Sequence, residues 1–326
     1  MDTPPQAEIA VKNQDQPGQG KPLNRITDVA IDTQARRIHT DGGEIEYSKL
    51  ILALGADPFP HGLSGSGAAG VLAVNDLADY AAFRAALDGR KRVTVLGGGL
   101  IGCEFANDLA HAGFAVDVVH LGEWPLERLL PVEAGRRLAD SLAALGVTWH
   151  FGRSGKRVER TANGYRIELD NGEAIEAEVV LSAIGLRPRT RLAQDAGIAA
   201  GRGIQVDALL QTSVPDVYAL GDCAEVDGVN LPYVQPLMVQ ARALAATLAG
   251  TPTPVVYPAM PVMVKTPAHP VAVLPPKPGA QGGWQVECGD SGVCALHVDA
   301  AGRLQGFALT GGETGKRTAL AGALAA

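Results

Sequence analysis

The chain has 326 residues, 46% hydrophobic and 19% charged, the balance of an ordinary globular protein with room for two or three domains. Its 28 basic and 35 acidic side chains leave a net charge of -7, which argues against nucleic acid as the main partner. No apolar run is long enough to span a membrane and the start MDTPPQAEIAVKNQDQ has no signal-peptide pattern, so the expected compartment is the cytoplasm.

Residues 1–24 are polar and aperiodic and read as a poorly ordered segment. Strands are expected at 25–31 and 37–40, then at 44–47 after a turn at Asp41-Gly42-Gly43, making a small β-meander. The apolar run 49–54 reads as a buried strand ending in Ala53-Leu54-Gly55-Ala56-Asp57-Pro58, and 59–70 is a loop rich in Gly, Pro and Ser. Residues 75–87 are amphipathic and predict a helix.

The stretch from Arg92 to His120, RVTVLGGGLIGCEFANDLAHAGFAVDVVH, predicts strand, glycine turn, helix and strand. Gly97, Gly99 and Gly102 form a G-x-G-x-x-G. The first glycine permits the tight turn, the second lets backbone approach a pyrophosphate, and the third lets helix and strand pack closely. The helix presents Ile101, Phe105 and Leu109 at a spacing of four, and its N-terminus aims free N–H groups at the phosphates. A tight βα turn that binds nothing would show the same glycines; the βαβ context favours a dinucleotide. His120 stands where an acidic residue would hold the adenosine ribose, with Glu123 just beyond and no arginine in its place, which favours NAD over NADP.

A helix at 131–145 and a strand at 147–151 follow, then strands at 157–159, 164–169 and 174–176 around the Asp170-Asn171-Gly172 turn, and a closing strand at 179–183 before Ile184-Gly185-Leu186-Arg187-Pro188. Residues 74–192 thus make one complete dinucleotide-binding domain. Strands are expected at 203–206 and 217–219, the latter running into Leu220-Gly221-Asp222-Cys223-Ala224, and an amphipathic helix at 236–248. From 251 prolines cluster, and strands at 262–265, 271–274, 284–287, 294–298 and 304–309, closed by a helix at 317–326, suggest a small β-rich domain. The cysteines Cys103, Cys223, Cys288 and Cys294 form no C-x-x-C and no zinc-like spacing.

VLGGGLIGCEFA, Leu52-Ala53-Leu54-Gly55, SAIGLRPRT and YALGDCAEV stand in the order and spacing of the FAD-dependent pyridine-nucleotide oxidoreductases, which the chain resembles over residues 25–326. IGCEFANDLA, ALGDCAEVDG, VQPLMVQARALAATLAG and PVMVKTPAHP are most similar to the NADH-dependent members that reduce rubredoxin, a one-electron iron carrier. The resemblance implies an α/β fold of two Rossmann-like dinucleotide-binding domains plus the β-rich C-terminal domain. The FAD domain is 25–73 with 193–250, the NAD(P)H domain 74–192, and the C-terminal domain 251–326. Family members begin with an FAD-binding βαβ carrying its own glycine motif; about 50–60 residues of it have no counterpart here, so the FAD domain is expected to be N-terminally truncated.

The resemblance also implies FAD and NADH as cofactors and assigns residues to them. Asp222 matches an aspartate that accepts a hydrogen bond from the flavin ribityl chain, though G-D-C-A is equally a good loop cap. Val234 matches a backbone flavin contact, Glu104 an acidic residue facing the flavin where nicotinamide stacks, and Lys265 a lysine at the flavin edge. Ile26 matches a backbone contact to the FAD adenine, Ala53, Gly55 and Gly221 lie in FAD-side motifs, and Gly185 is a nicotinamide-side glycine. Arg187, Arg189 and Arg191 form a basic group able to meet NADH or an acidic partner, or simply a solvated loop. A thioredoxin-reductase-like site is excluded by the absent C-x-x-C. A ferredoxin-reducing flavoprotein, or a non-catalytic NAD-binding remnant, remains as the alternative.

Overall fold

A computed structural model describes residues 29–277 and 279–325; the reading of residues 1–24 and the Ile26 contact lie outside them. The chain divides into two compact units. Residues 29–57 with Arg187–Tyr257 form one, and Pro58–Leu186 with 258–325 the other.

The second unit is built on a four-stranded parallel sheet ordered Val179–Ser182, Arg92–Leu96, Ala115–His120, Val147–Phe151. Its inner strands are buried on both faces, which is why RVTVL and AVDVVH read as near-continuous apolar runs. The helix Leu100–His111 crosses from the first inner strand to the second, and Gly113, at φ +86°, lets the chain leave it.

The buried face of that helix differs from the expected one. It is formed by Gly102, Cys103, Ala106, Asn107, Leu109 and Ala110, while Ile101 is 38% exposed. Small side chains prevail near the glycine turn, where Gly102 lies against the Gly97 backbone, while Leu109, one of the expected residues, is buried farther along the helix. Phe105 points sideways into an edge-on contact with Phe83, ring centroids 5.3 Å apart.

The strands Gly155–Thr161, Gly164–Leu169 and Ala174–Ala177, expected as a hairpin-like set, form a three-stranded antiparallel meander. Residues 258–325 supply a five-stranded antiparallel sheet ordered Val262–Val264, Val271–Leu274, Leu304–Thr310, Gly292–Val298, Gly283–Gly289. Its two faces serve different cores by strict alternation. Val271, Val273, Val293, Ala295 and Ala308 join Leu138 and Leu142 of the helix Val132–Ala144 in the core of the dinucleotide sheet. Ala272, Cys294, Phe307 and Leu309 point the other way, under the helix Arg317–Ala325. Phe307 is fully buried, so truncating it to Ala would cost about 3–5 kcal/mol.

The first unit holds the meander Ala30–Asp32, Arg37–Thr40, Gly43–Glu46 and two parallel pairs, Leu50–Leu52 with Val217–Ala219 and Ile204–Val206 with Ala224–Val226. Its core runs through Leu52, Ile204, Leu210, Val217, Ala219 and Leu244. The helix Val234–Leu248 starts two residues earlier than the apolar pattern indicated. Ala224–Val226 and the five-residue helix Arg191–Asp195 were not expected; neither is long enough to show a period.

Candidate functional site

Each glycine of the Gly97–Gly102 turn answers a separate constraint. Gly97 sits at φ +106°, and a Cβ there would lie 2.5 Å from the Ala183 carbonyl oxygen. A Cβ on Gly102 would stand 1.8 Å from the Gly97 oxygen, so only glycine lets the helix approach the strand. A Cβ on Gly99 would meet nothing within 4 Å. Gly99 is the N-cap of Leu100–His111 and supplies no capping side chain. The first-turn N–H groups therefore face an open approach, the arrangement that suits a pyrophosphate.

His120 ends the neighbouring strand, as expected, but it faces the turn itself. Its Nδ1 accepts the Gly98 N–H at 3.1 Å, which leaves Nε2 to donate to the Trp124 carbonyl at 3.1 Å and fixes the tautomer. Burial lowers its pKa below the ordinary 6.5; Glu127 and the Trp124 carbonyl pull it up, and Arg128 pushes it down. The neutral ring has both nitrogens committed to backbone. A Cβ on Gly98 would lie 2.9 Å from the ring, which explains the additional glycine between the two motif glycines.

Glu104 and Asn107 lie on one side of the same helix and hold the segment 265–268. Glu104 Oε1 accepts the Lys265 N–H at 2.8 Å, and Asn107 Oδ1 accepts the Ala268 N–H at 3.2 Å. Glu104 thus meets Lys265 through its backbone, leaving the Lys265 ammonium exposed with no partner among the described residues. Asn107 is 2% exposed and was missed in the sequence. Its signal was an amide on the small-residue face at 103, 106 and 110. Gly185, at φ +112°, accepts the Phe59 N–H through its carbonyl at 3.0 Å.

In the first unit, Gly221 follows the strand Val217–Ala219 at φ +78° and donates its N–H to Gln240 Oε1 at 2.7 Å. Gln240 is 1% exposed and passes the chain on through Nε2 to the Tyr257 hydroxyl at 2.7 Å. The period 236, 240, 243, 244 places Gln240 on the buried stripe, the one sign of its role in the sequence. Asp222 is partly buried, its carboxyl pushed up by burial, and it has no side-chain partner among the described residues. Its carbonyl accepts from Asn230 Nδ2 at 2.9 Å. Val234 is the first residue of its helix and 74% exposed; no side chain caps the first turn, and Pro236 contributes no N–H. Ala53 is exposed and Gly55 sits at φ +70°.

The three arginines divide. Arg189 pairs with Asp57 at 2.6 Å and donates to the Leu54 carbonyl at 3.0 Å, a structural tie. Arg191 pairs with Asp195 at 3.5 Å, and Arg187 is exposed and unpaired among the described residues. Cys103 and Cys223 are fully buried, with thiols pushed up by burial, so both are packing groups. Among the described residues no cluster could hold a metal ion, and no helix is long and apolar enough to cross a membrane.

Residues 4–246 match the family described as pyridine nucleotide-disulphide oxidoreductase. The chain belongs to this family. Residues 254–324, which include the five-stranded sheet, match the rubredoxin binding C-terminal domain. Among relatives of this oxidoreductase, a Rubredoxin-NAD(+) reductase of Alcanivorax borkumensis is 52% identical over 282 residues, 86% of this chain and 74% of the relative. One from Acinetobacter baylyi is 45% identical over 88% of this chain and 74% of its own. The solved structure of a ferredoxin reductase from Rhodopseudomonas palustris superposes with a TM-score of 0.80 at 26% identity, covering 87% of this chain and 72% of the other.

Proposed function

We propose that this oxidoreductase passes electrons from NADH, through FAD, to rubredoxin. The observation that carries the reading is the match of residues 254–324 to a rubredoxin-binding domain, on a chain whose other residues match a pyridine-nucleotide oxidoreductase. The 52% identical relative bears the same activity in its name. The cytoplasm, where NADH is available, is the compartment this reading implies.

The residues fit the two cofactors. Gly99 and the first-turn amides of Leu100–His111 would hold the NADH pyrophosphate, with Gly97 and Gly102 keeping that helix close enough to reach it. The half-buried Asp222 carboxylate, without a side-chain partner among the described residues, is suited to accept a hydrogen bond from the flavin ribityl chain. Gly221 and Gln240 fix the backbone on which Asp222 is carried, and the uncapped turn at Val234 offers N–H groups to an electron-rich partner. Glu104 anchors the Lys265 backbone, and the exposed ammonium, without a partner among the described residues, is available to stabilise accumulating negative charge. FAD, held there, would supply the conversion of a two-electron donor into single-electron transfers. One NADH then balances two rubredoxins, each reduced by one electron, with release of NAD+ and a proton.

The test is the visible spectrum of the chain incubated with FAD, before and after anaerobic NADH, followed by reduction of purified rubredoxin and ferredoxin. Bleaching by NADH with preferential rubredoxin reduction is expected. Preference for ferredoxin would favour the second reading, for which the solved ferredoxin reductase is the supporting observation. A colourless protein that binds NADH would sink both and leave a dinucleotide-binding remnant.

A further inference from the structure

We infer that His120 is a pH-responsive positioning residue for the dinucleotide: its neutral imidazole holds the Gly98 amide and so sets the glycine turn, and protonation of Nδ1 releases that amide. The inference rests on the reading that this turn binds NADH.

A protonated imidazole carries a hydrogen on both nitrogens and accepts at neither. Because Nε2 already donates to the Trp124 carbonyl, the incoming proton must take Nδ1, the atom that accepts from Gly98. The Gly98 N–H would then face an N–H at a 3.1 Å separation, and one of the two must move. The ring lies against the turn, where a Cβ on Gly98 would stand only 2.9 Å from it, and the Phe151 ring packs edge-on at 6.4 Å between centroids. Gly98 also accepts the Leu126 N–H at 3.0 Å through its carbonyl, so displacing the turn displaces the 121–130 loop with it.

The charged groups that face the ring are Glu127 and Arg128 of that loop, which act in opposite senses. The strand Val147–Phe151 contributes the non-titrating Phe151, and the turn contributes only backbone. The proton is therefore governed by burial and by the Gly98 amide. With both nitrogens engaged, His120 offers no acceptor to the adenosine ribose. It serves the dinucleotide through the turn, where an acidic residue would act by direct contact.

The test is calorimetric binding of ADP-ribose and of NADH from about pH 5 to about pH 8. ADP-ribose has no group titrating in that range and needs no flavin. Three proteins are compared: wild type, His120→Asn and His120→Phe. Affinity of the wild type is expected to fall about tenfold on acidification, the worth of one lost hydrogen bond. H120N keeps an acceptor for Gly98 without a titrating proton and should bind near the wild-type high-pH value at every pH. H120F should bind about tenfold more weakly throughout, without pH dependence. Thermal melts at each pH confirm folded protein. A flat wild-type profile, or an H120N profile that falls like the wild type, would overturn the inference while leaving the dinucleotide reading intact. No ADP-ribose binding at any pH would overturn both.

Discussion

Two alanine substitutions three residues apart in the glycine turn should both weaken NADH binding, but only one should cost stability. In Gly102→Ala the new methyl would stand 1.8 Å from the Gly97 carbonyl oxygen, and 3.0 Å is the closest approach real Cβ atoms make. Both groups are backbone-anchored, so Leu100–His111 must retreat by about 1.2 Å. Overpacking of that kind costs about 1–3 kcal/mol of stability, and drawing the phosphate amides back should weaken NADH about tenfold for each hydrogen bond lost. In Gly99→Ala the methyl meets nothing within 4 Å, and its φ of -79° is ordinary for alanine. Stability should change by less than about 0.5 kcal/mol, yet NADH affinity should fall at least tenfold, because the methyl occupies the approach reserved for the pyrophosphate. Urea unfolding and NADH titration of both variants are the assay. Unchanged NADH affinity in G99A would show that the pyrophosphate does not approach there, and full stability in G102A would refute the close-packing argument.

Gln240→Leu should destabilise the first unit by about 1–3 kcal/mol in urea unfolding, since it strands the buried Gly221 N–H; a change under about 0.5 kcal/mol would contradict that. Asp222→Asn removes a carboxylate that burial disfavours, so neutral-pH stability should rise slightly, by less than about 1 kcal/mol after solvent screening. The same variant should lose FAD, read as flavin absorbance after gel filtration; equal loss of NADH affinity would contradict the assignment. His269, 8% exposed with Nε2 on the Thr310 hydroxyl, has its pKa lowered first by burial and then by Arg137. Together with His120 it stabilises the fold above about pH 6.5 and loses that contribution as the pH falls below it. Chemical unfolding across that range should show the drop, and a His269→Gln variant a shallower one.

The parallel strands of the second unit were legible because burial on both faces forces apolar runs between glycine turns, as in Arg92–Leu96 and Val179–Ser182. The C-terminal strands were legible by alternation, but alternation alone cannot say that Val271 and Ala272 serve two different cores. The helix face was misjudged at Ile101 because hydrophobicity ranks large residues first, whereas the Gly102–Gly97 contact selects small ones. In the site, the glycine spacing encodes a local turn and could be read directly. The bonds from Gly221 to Gln240 and from Gly98 to His120 depend on where distant segments fold back, which no spacing rule contains.

The first unit is assembled from two stretches of chain far apart in sequence. The Leu54 N–H donates to the Cys223 thiol across 169 residues, and Val217–Ala219 pairs in parallel with Leu50–Leu52. On the ribosome, the segment before Asp57 therefore emerges long before its partner strand exists. It must wait, with Leu50–Leu52 lacking that partner strand, while residues 58–216 are made. Closing so long a loop is slow if the intervening chain is unstructured, and faster if that chain has already condensed and shortened the distance to be searched. The order of synthesis thus makes early collapse of the parallel sheet around Arg92–Leu96 a protector of the first unit. Variants that slow that collapse are expected to raise aggregation of nascent chains more than their equilibrium stability would indicate.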